Sequence, residues 1–302
     1  MTPEHILSIP PRVLTQAQRE LYFTEGYILL ERVIGDDWLK KLRDATDELI
    51  ERSRKVTKSD AVWDLEPDHR PDAPRLRRVS APVDQHPVYW DYIKESVVAD
   101  IVADLVGPDV KFHHSKLNFK WAKGGEEVKW HYDISFWPHT NYSPLTIGTY
   151  IYDCGMDQGP VGFIPKSHLI EPLFTQYDES GKWVGCLSPE DLKALDLKSA
   201  RYMVGPAGSL TLHNCRTVHG SPKNTSDLGR PLLLYTLSSG DAFPYTVNPI
   251  RSSKDQMMIR GKRVLHAHHD PRPCLVPPDW SAGYTSIFDL QQKDERPSAS
   301  MM

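Results

Sequence analysis

Apolar side chains recur at helical intervals through the first third of the chain, and from Val110 onward at the shorter spacing of strands punctuated by turn residues. Residues 1–14 are Pro-rich and predict an extended arm. Thr15-x-x-Gln18 has the form of a capping box, so a short helix should start there and end near Gly26, before a strand at Tyr27-Ile28-Leu29-Leu30. A longer helix is predicted after Gly35, with Asp36 and Asp37 at its electropositive end and Leu39, Leu42, Leu49 and Ile50 on one face. Residues 53–86 are rich in Lys, Arg, Asp and Pro and poor in apolar residues, which predicts a long surface loop or lid. Trp90, Ile93, Val97, Ile101 and Leu105 predict one more helix, stopped by Gly107-Pro108.

Strands are predicted at 110–119, 128–136, 145–152, 161–164, 209–213, 216–219 and 231–238. No helices alternate with them, so the expected core is an antiparallel sandwich or barrel. A polar insertion at 166–200 interrupts it, with Pro189-Glu190-Asp191-Leu192 opening a short helix, and a Pro- and His-rich segment after Gly240 should wrap the surface. The expected organisation is one domain over 1–302, with a helical part at 15–109, a β core at 110–240 and a wrapping segment at 241–302.

Composition narrows the class. With 39% hydrophobic and 25% charged residues the chain can bury a sizeable core. A net charge of −4 without a Lys/Arg run offers nucleic acid no general attraction. Cys154, Cys186, Cys215 and Cys274 form no CxxC pair, which favours free thiols in a reducing compartment over zinc ligands. There is no 18-residue apolar stretch, no charged-then-apolar leader, and Ser300-Met301-Met302 is not a peroxisomal tripeptide. The expectation is a cytoplasmic monomer or homodimer that acts on a small molecule, with neither membrane nor nucleic acid as partner.

Candidate chemistry centres on Trp130-His131-Tyr132-Asp133. Residues i and i+2 of a strand share a face, so His131 and Asp133 would point together into whatever the sheet encloses. One more inward histidine would complete a two-His-one-carboxylate set, the donor set of non-haem Fe(II) sites that leave coordination positions open. His219 ends a strand-like run at a Gly-Ser-Pro turn, and Arg230 follows eleven residues later at the start of an apolar strand. A strand, a turn and a returning strand would bring Arg230 near His219, where its planar fork can hold a carboxylate through two parallel hydrogen bonds.

Taken in order, these motifs resemble the phytanoyl-CoA dioxygenase family, double-stranded β-helix oxygenases that include ectoine and bacterial proline hydroxylases. The similarity comprises His131-x-Asp133, then Gly159-Pro160-Val-Gly-Phe-Ile-Pro165-Lys-Ser167-His168, then His219-Gly-Ser221, then Arg230, and it includes Glu25-Gly26-Tyr27. It spans roughly residues 15–240. The fold it implies is mainly β with helical additions, a jelly-roll core with N-terminal helices packed on one sheet. It also implies His131, Asp133 and His219 as ligands of Fe(II), with Arg230 and Ser221 holding the distal carboxylate of the co-substrate 2-oxoglutarate. Asn118, Trp137 and Thr146 match further positions around the co-substrate and site. The implied reaction consumes O2, releases succinate and CO2, and hydroxylates an unactivated C–H bond of a small organic metabolite. Tyr132 departs from the Gln common in the family, at a side chain expected to point away from the metal. Asp133 argues against halogenation, because related halogenases have Ala or Gly there.

Other features have plainer readings. His266-Ala-His268-His269-Asp270 lies in the Pro-rich tail and reads as a surface loop rather than a second metal site. His113-His114 sit near the start of a strand, where one is a candidate for facing the active-site cavity, against a packed or surface reading; His168 is expected to make a structural hydrogen bond, and His213 and Cys215 carry no assigned role. Trp130, Phe136, Trp137, Tyr142 and Tyr150 suggest an aromatic lining near the metal. Arg75, Arg77 and Arg78 are candidates for meeting an anionic substrate, against a solvated loop. Two other functions fit parts of the pattern: a catalytically silent sensor or scaffold, and a cupin-type hydrolase or isomerase using another divalent metal.

Overall fold

The structure is a computed structural model that describes residues 1–283 and 286–292. Part of the expected wrapping segment, including Ser300-Met301-Met302, lies outside the described residues. Among the described residues no helix is long and apolar enough to cross a membrane.

Two antiparallel sheets form the core. The larger runs in the order β1 (Tyr27–Leu30), β9 (Leu210–Asn214), β6 (Leu145–Tyr150), β11 (Leu232–Ser239), β4 (Val110–Asn118), β3 (Leu76–Ser80), β2 (Trp63–Leu65), with β12 (Met258–Arg260) also pairing with β4. The smaller runs β5 (Val128–His131), β10 (His219–Ser221), β7 (Gly162–Phe163), β8 (Arg201–Tyr202). The helices are α1 (Pro3–Ser8), α2 (Gln16–Glu25), α3 (Asp36–Ser53), α4 (Pro82–Gln85), α5 (Pro87–Glu95), α6 (Val98–Val106), α7 (Pro189–Lys193) and α8 (Ile287–Gln292).

Strand parity divides the larger sheet into two chemistries. On β11 the odd residues Leu233, Tyr235 and Leu237 join a core completed by Leu42 and Leu49 of α3, Tyr92 and Ile93 of α5 and Ile101 of α6. The even residues Leu232 and Leu234 turn to the opposite face and line a cavity between the sheets. On β4 a bulge breaks this alternation: Thr236 pairs with His114 but Leu237 with Phe112, leaving His113 as the extra residue. The bulge puts His113 beside Trp137 and His139 while His114 still lines the cavity.

His113 and His139 are fully enclosed. Burial holds His139 down at about 4 and His113 well below the usual range, with neighbouring His114 and His139 adding to the effect on His113. In the unfolded chain both return to about 6.5, so the unfolded state binds more protons below that pH. Their contribution to stability is complete above about pH 6.5 and is lost as pH falls toward 4. Thermal denaturation between pH 7 and 4.5 should show a falling melting temperature, with a shallower slope in His139→Asn. An equal slope in wild type and variant would contradict this.

Local signals were read correctly at several places. Thr15 and Gln18 make the reciprocal capping box, and Gly26 closes α2 at φ 87°, where a left-handed residue is needed. A Cβ there would lie 2.5 Å from His168 Nδ1 and 2.7 Å from Thr217 Oγ1, so glycine also permits a close approach. The helix predicted at Pro189 forms.

Four expectations need correction. The arm contains the short helix α1, started by Pro3 after the N-cap Thr2. The helix expected through residues 90–105 is two, since Ser96 turns extended and its hydroxyl accepts from Val98 N at 3.3 Å. The strand expected at 216–219 is a turn and bend ahead of Val218, and β10 begins only at His219. Residues 53–86 are not a surface loop: β2 and β3 extend the larger sheet, with Trp63, Leu65, Leu76 and Val79 in the core. The charge that suggested solvent is instead paired, because buried Arg77 meets Asp64, Glu126 and Asp289.

Candidate active site

His131 and His219 face each other as paired residues of β5 and β10, with ring centroids 4.1 Å apart. Asp133 lies just beyond the end of β5, in a turn closed by Phe136 N donating to its carbonyl, and its oxygen Oδ1 is 3.8 Å from His219 Nε2. One donor atom from each of these three buried residues lies within 4.8 Å of the others, and no other such group of His, Cys, Asp or Glu occurs among the described residues.

Their protonation states suit a divalent cation. Nδ1 of His131 is 2.9 Å from the Lys129 carbonyl and Nδ1 of His219 is 2.9 Å from the Thr217 carbonyl. A carbonyl only accepts, so Nδ1 carries the proton and Nε2 is left as the donor atom toward the metal. Burial pushes His131 down to about 4, and burial together with His131 and His213 pushes His219 well below its usual range. For Asp133 burial acts upward, yet His219, the hydrogen bond from His213 and the charge of Lys116 outweigh it and hold the carboxyl ionised. Two neutral imidazoles and one carboxylate are the state a metal needs.

The larger sheet fixes Asp133 in place. Thr146 Oγ1 donates to Asp133 Oδ2 at 2.7 Å, and His213 Nε2 approaches the same oxygen at 3.2 Å. Thr146, expected at the co-substrate, thus also orients the carboxylate, and His213, given no role from sequence, is its second support. Thr146→Ala should weaken divalent-metal binding roughly 10- to 100-fold, as outer partners of metal ligands do, while Thr146→Ser keeps most of it. A metal titration followed by calorimetry checks this; wild-type affinity in the alanine variant would contradict it.

Arg230 sits at the other end of the cavity. It is not across one sheet from His219, as expected, but two residues before β11 of the larger sheet, where it exchanges backbone hydrogen bonds with Lys120 just past the end of β4. Arg230 Nη2 donates to the Gly159 carbonyl at 2.9 Å, which gives the Gly159-Pro160 motif a purpose. Its Nε and Nη1 are buried with no hydrogen-bond partner among the described residues, a costly state unless a ligand completes it.

The remaining predicted residues divide. Ser221, Asn118 and Trp137 all line the cavity; Asn118 Oδ1 accepts from Arg78 Nε at 3.0 Å. Phe136 lines it too, but Trp130, Tyr142 and Tyr150 do not, and Phe288 of α8 supplies an aromatic that the sequence did not suggest. Tyr132 does point away, stacking on Phe174. His168 Nε2 meets the Phe23 carbonyl, a structural bond as expected, and Cys215 has no part in the cavity. His266, His268 and His269 lie exposed in a loop. Lys116 and Lys120, which the sequence does not single out, face the cavity, as do the candidates His114 and Arg78. Parity could have found Lys116, two residues before Asn118 on β4, and Lys120 follows at the same interval just past the end of the strand.

The family profile described as phytanoyl-CoA dioxygenase matches residues 22–232, more than two thirds of the chain. The chain belongs to the phytanoyl-CoA dioxygenase family. It is similar to a probable alpha-ketoglutarate-dependent hypophosphite dioxygenase of Stutzerimonas stutzeri, 28% identical over 93% of this chain and 98% of that protein. It is also similar to the ectoine dioxygenase of Bordetella bronchiseptica, at 24% identity over 78% of each chain. Among solved structures, EctD from S. alaskensis with 2-oxoglutarate and 5-hydroxyectoine superposes with a TM-score of 0.64 at 20% identity, over 92% of both chains. Family and structural neighbours together indicate an iron- and 2-oxoglutarate-dependent dioxygenase on the jelly-roll fold of this family.

Proposed function

We propose that His131, Asp133 and His219 bind Fe(II), that Arg230 anchors the distal carboxylate of 2-oxoglutarate, and that the protein hydroxylates a small polar substrate. The observation that carries this reading is the pairing of the buried His-Asp-His group with buried, unpartnered Arg230 nitrogens in one cavity. When bound, the metal would supply O2 activation coupled to oxidation of 2-oxoglutarate to succinate and CO2. The chain's own residues do the rest: Thr146 and His213 hold Asp133, and the Lys129 and Thr217 carbonyls fix the imidazoles. Phe136, Trp137, Ile250 and Phe288 exclude water from the remaining wall. A hydrolase or isomerase would have no use for a buried guanidinium placed to receive a dicarboxylate, and a silent scaffold would not need two supports on one metal-facing carboxylate.

The substrate has two readings. Oxidation at a C–H bond of a small metabolite is favoured by the ectoine dioxygenase relatives. Oxidation of a small phosphorus oxyanion is favoured by the hypophosphite relative, which is matched over nearly its whole length. A succinate-release screen over ectoine, L-proline, hypophosphite and a metabolite panel distinguishes them. We expect one compound to raise succinate above the substrate-free rate in wild type and not in Asp133→Ala. No compound-dependent succinate, together with no 2-oxoglutarate binding, would favour a scaffold instead.

A further inference from the structure

We infer that Lys116 and Arg78 form an oxyanion subsite beside the metal centre, so that the substrate of the oxygenase proposed above is a small anion. This rests on that oxygenase reading and adds the charge of what it oxidises.

The cavity holds more positive charge than the co-substrate uses. Four cationic side chains line it: Arg78, Lys116, Lys120 and Arg230. Arg230 is spoken for by the distal carboxylate of 2-oxoglutarate. Lys120 is occupied internally, its Nζ donating to the carbonyls of Ser221 and Pro222. Lys116 makes no hydrogen bond and no ion pair among the described residues, and Arg78 uses only its Nε, on Asn118. With two positive charges on the metal and one on Arg230 against two negative charges on 2-oxoglutarate and one on Asp133, the loaded site is already balanced, and Lys116 and Arg78 are two further cations with no counter-charge. A low-dielectric cavity does not tolerate that excess without an anion.

Register sets Lys116 away from Arg230, with Arg78 between them. Lys116 lies on β4 and Lys120 two residues past its end, about 13 Å farther along the extended chain. Lys120 pairs with Arg230, whereas Lys116 pairs with Leu234 and Ser80, next to the rung of His114, Thr236 and Thr146 that supports Asp133. Arg78 pairs with Asn118 on the neighbouring strand, and its guanidinium lies 5.5 Å from the ring centroid of Phe288 on α8. Lys116 therefore lies toward the metal end of the cavity and Arg78 on the next inward rung, between Lys116 and the Lys120–Arg230 pair, whereas Asp133 is held from β6 and β9. Burial lowers Lys116 to about 8, a cost that an anion against it would offset. Carboxylates and phosphorus oxyacids share the required chemistry.

The test is calorimetric titration of the anaerobic Fe(II) protein, saturated with 2-oxoglutarate at constant chloride, with hypophosphite, phosphite, acetate and neutral acetamide. No oxygen is present, so binding is read without turnover. We expect at least one oxyanion to saturate the wild type and acetamide not to. Lys116→Met should weaken that oxyanion about 10- to 100-fold, the value of one charge-assisted hydrogen bond, with 2-oxoglutarate affinity unchanged within about twofold, and Lys116→Arg should restore most of it. Preference for acetate identifies a carboxylate substrate and preference for hypophosphite or phosphite a phosphorus one. Equal anion binding in Lys116→Met, no saturation by any oxyanion, or an equal loss of 2-oxoglutarate would overturn the subsite. Failure of wild type to take up 2-oxoglutarate at all would instead remove the oxygenase reading, and the anion titration of the same sample would still decide the subsite.

Discussion

Asp133→Ala should lose Fe(II)-dependent turnover of 2-oxoglutarate by more than about 100-fold, because even removing an outer partner of a metal ligand costs roughly 10- to 100-fold. The substitution removes the only anionic donor of the proposed set and leaves two imidazoles facing each other at 4.1 Å. It also strands the His213 ring N–H, a buried donor whose acceptor is Asp133 Oδ2, while the Thr146 hydroxyl keeps only Thr236 Oγ1 at 3.1 Å. Each buried donor left unpaired costs about 1–3 kcal/mol, so the metal-free variant should also melt at a lower temperature. The two effects separate by titration: loss of turnover from instability recovers at low temperature, whereas loss of the ligand does not. Wild-type metal affinity in a folded Asp133→Ala protein would contradict the assignment.

Arg230→Gln should weaken 2-oxoglutarate binding by about 10²- to 10³-fold, the range for removing one partner of a buried charge pair. Its effect on the ligand-free protein should have the opposite sign or be small. Nε and Nη1 of Arg230 are buried and unpartnered without the co-substrate, so a neutral side chain relieves their desolvation. Thermal shift measures both at once: 2-oxoglutarate added to the metal-loaded protein should raise the melting temperature of wild type and leave that of the metal-loaded variant nearly unmoved at the same concentration. A variant stabilised as much as wild type would show that the co-substrate is held elsewhere.

Much of the site was legible because its chemistry is local in sequence. The spacing of His131 and Asp133, the Gly-Ser turn after His219 and the strand beginning after Arg230 each reflect short-range constraints. The fold class followed from punctuated strands without intervening helices. What escaped depends on long-range pairing. His213 acquires its role only because β9 lies beside β6, which brings its ring to Asp133. Arg77 and Arg78 divide between the anionic-substrate and solvated-loop readings only once β3 is paired: both are buried, Arg77 against three carboxylates and Arg78 at the cavity. His113 and His114 both turn inward because of a bulge, which strict alternation does not foresee. Phe288 belongs to a short C-terminal helix whose place over the cavity is fixed by Asp289 on Arg77 and by the Gln291 side chain on Lys129 N and the Gly185 carbonyl.

The central claim is that one cavity of this chain binds Fe(II) and 2-oxoglutarate together. Anaerobic addition of Fe(II) and then 2-oxoglutarate, followed by visible absorption, tests it directly. We predict a charge-transfer band that saturates at one metal per chain and is absent in Asp133→Ala. A folded wild-type protein that shows no band with both components in excess would contradict it.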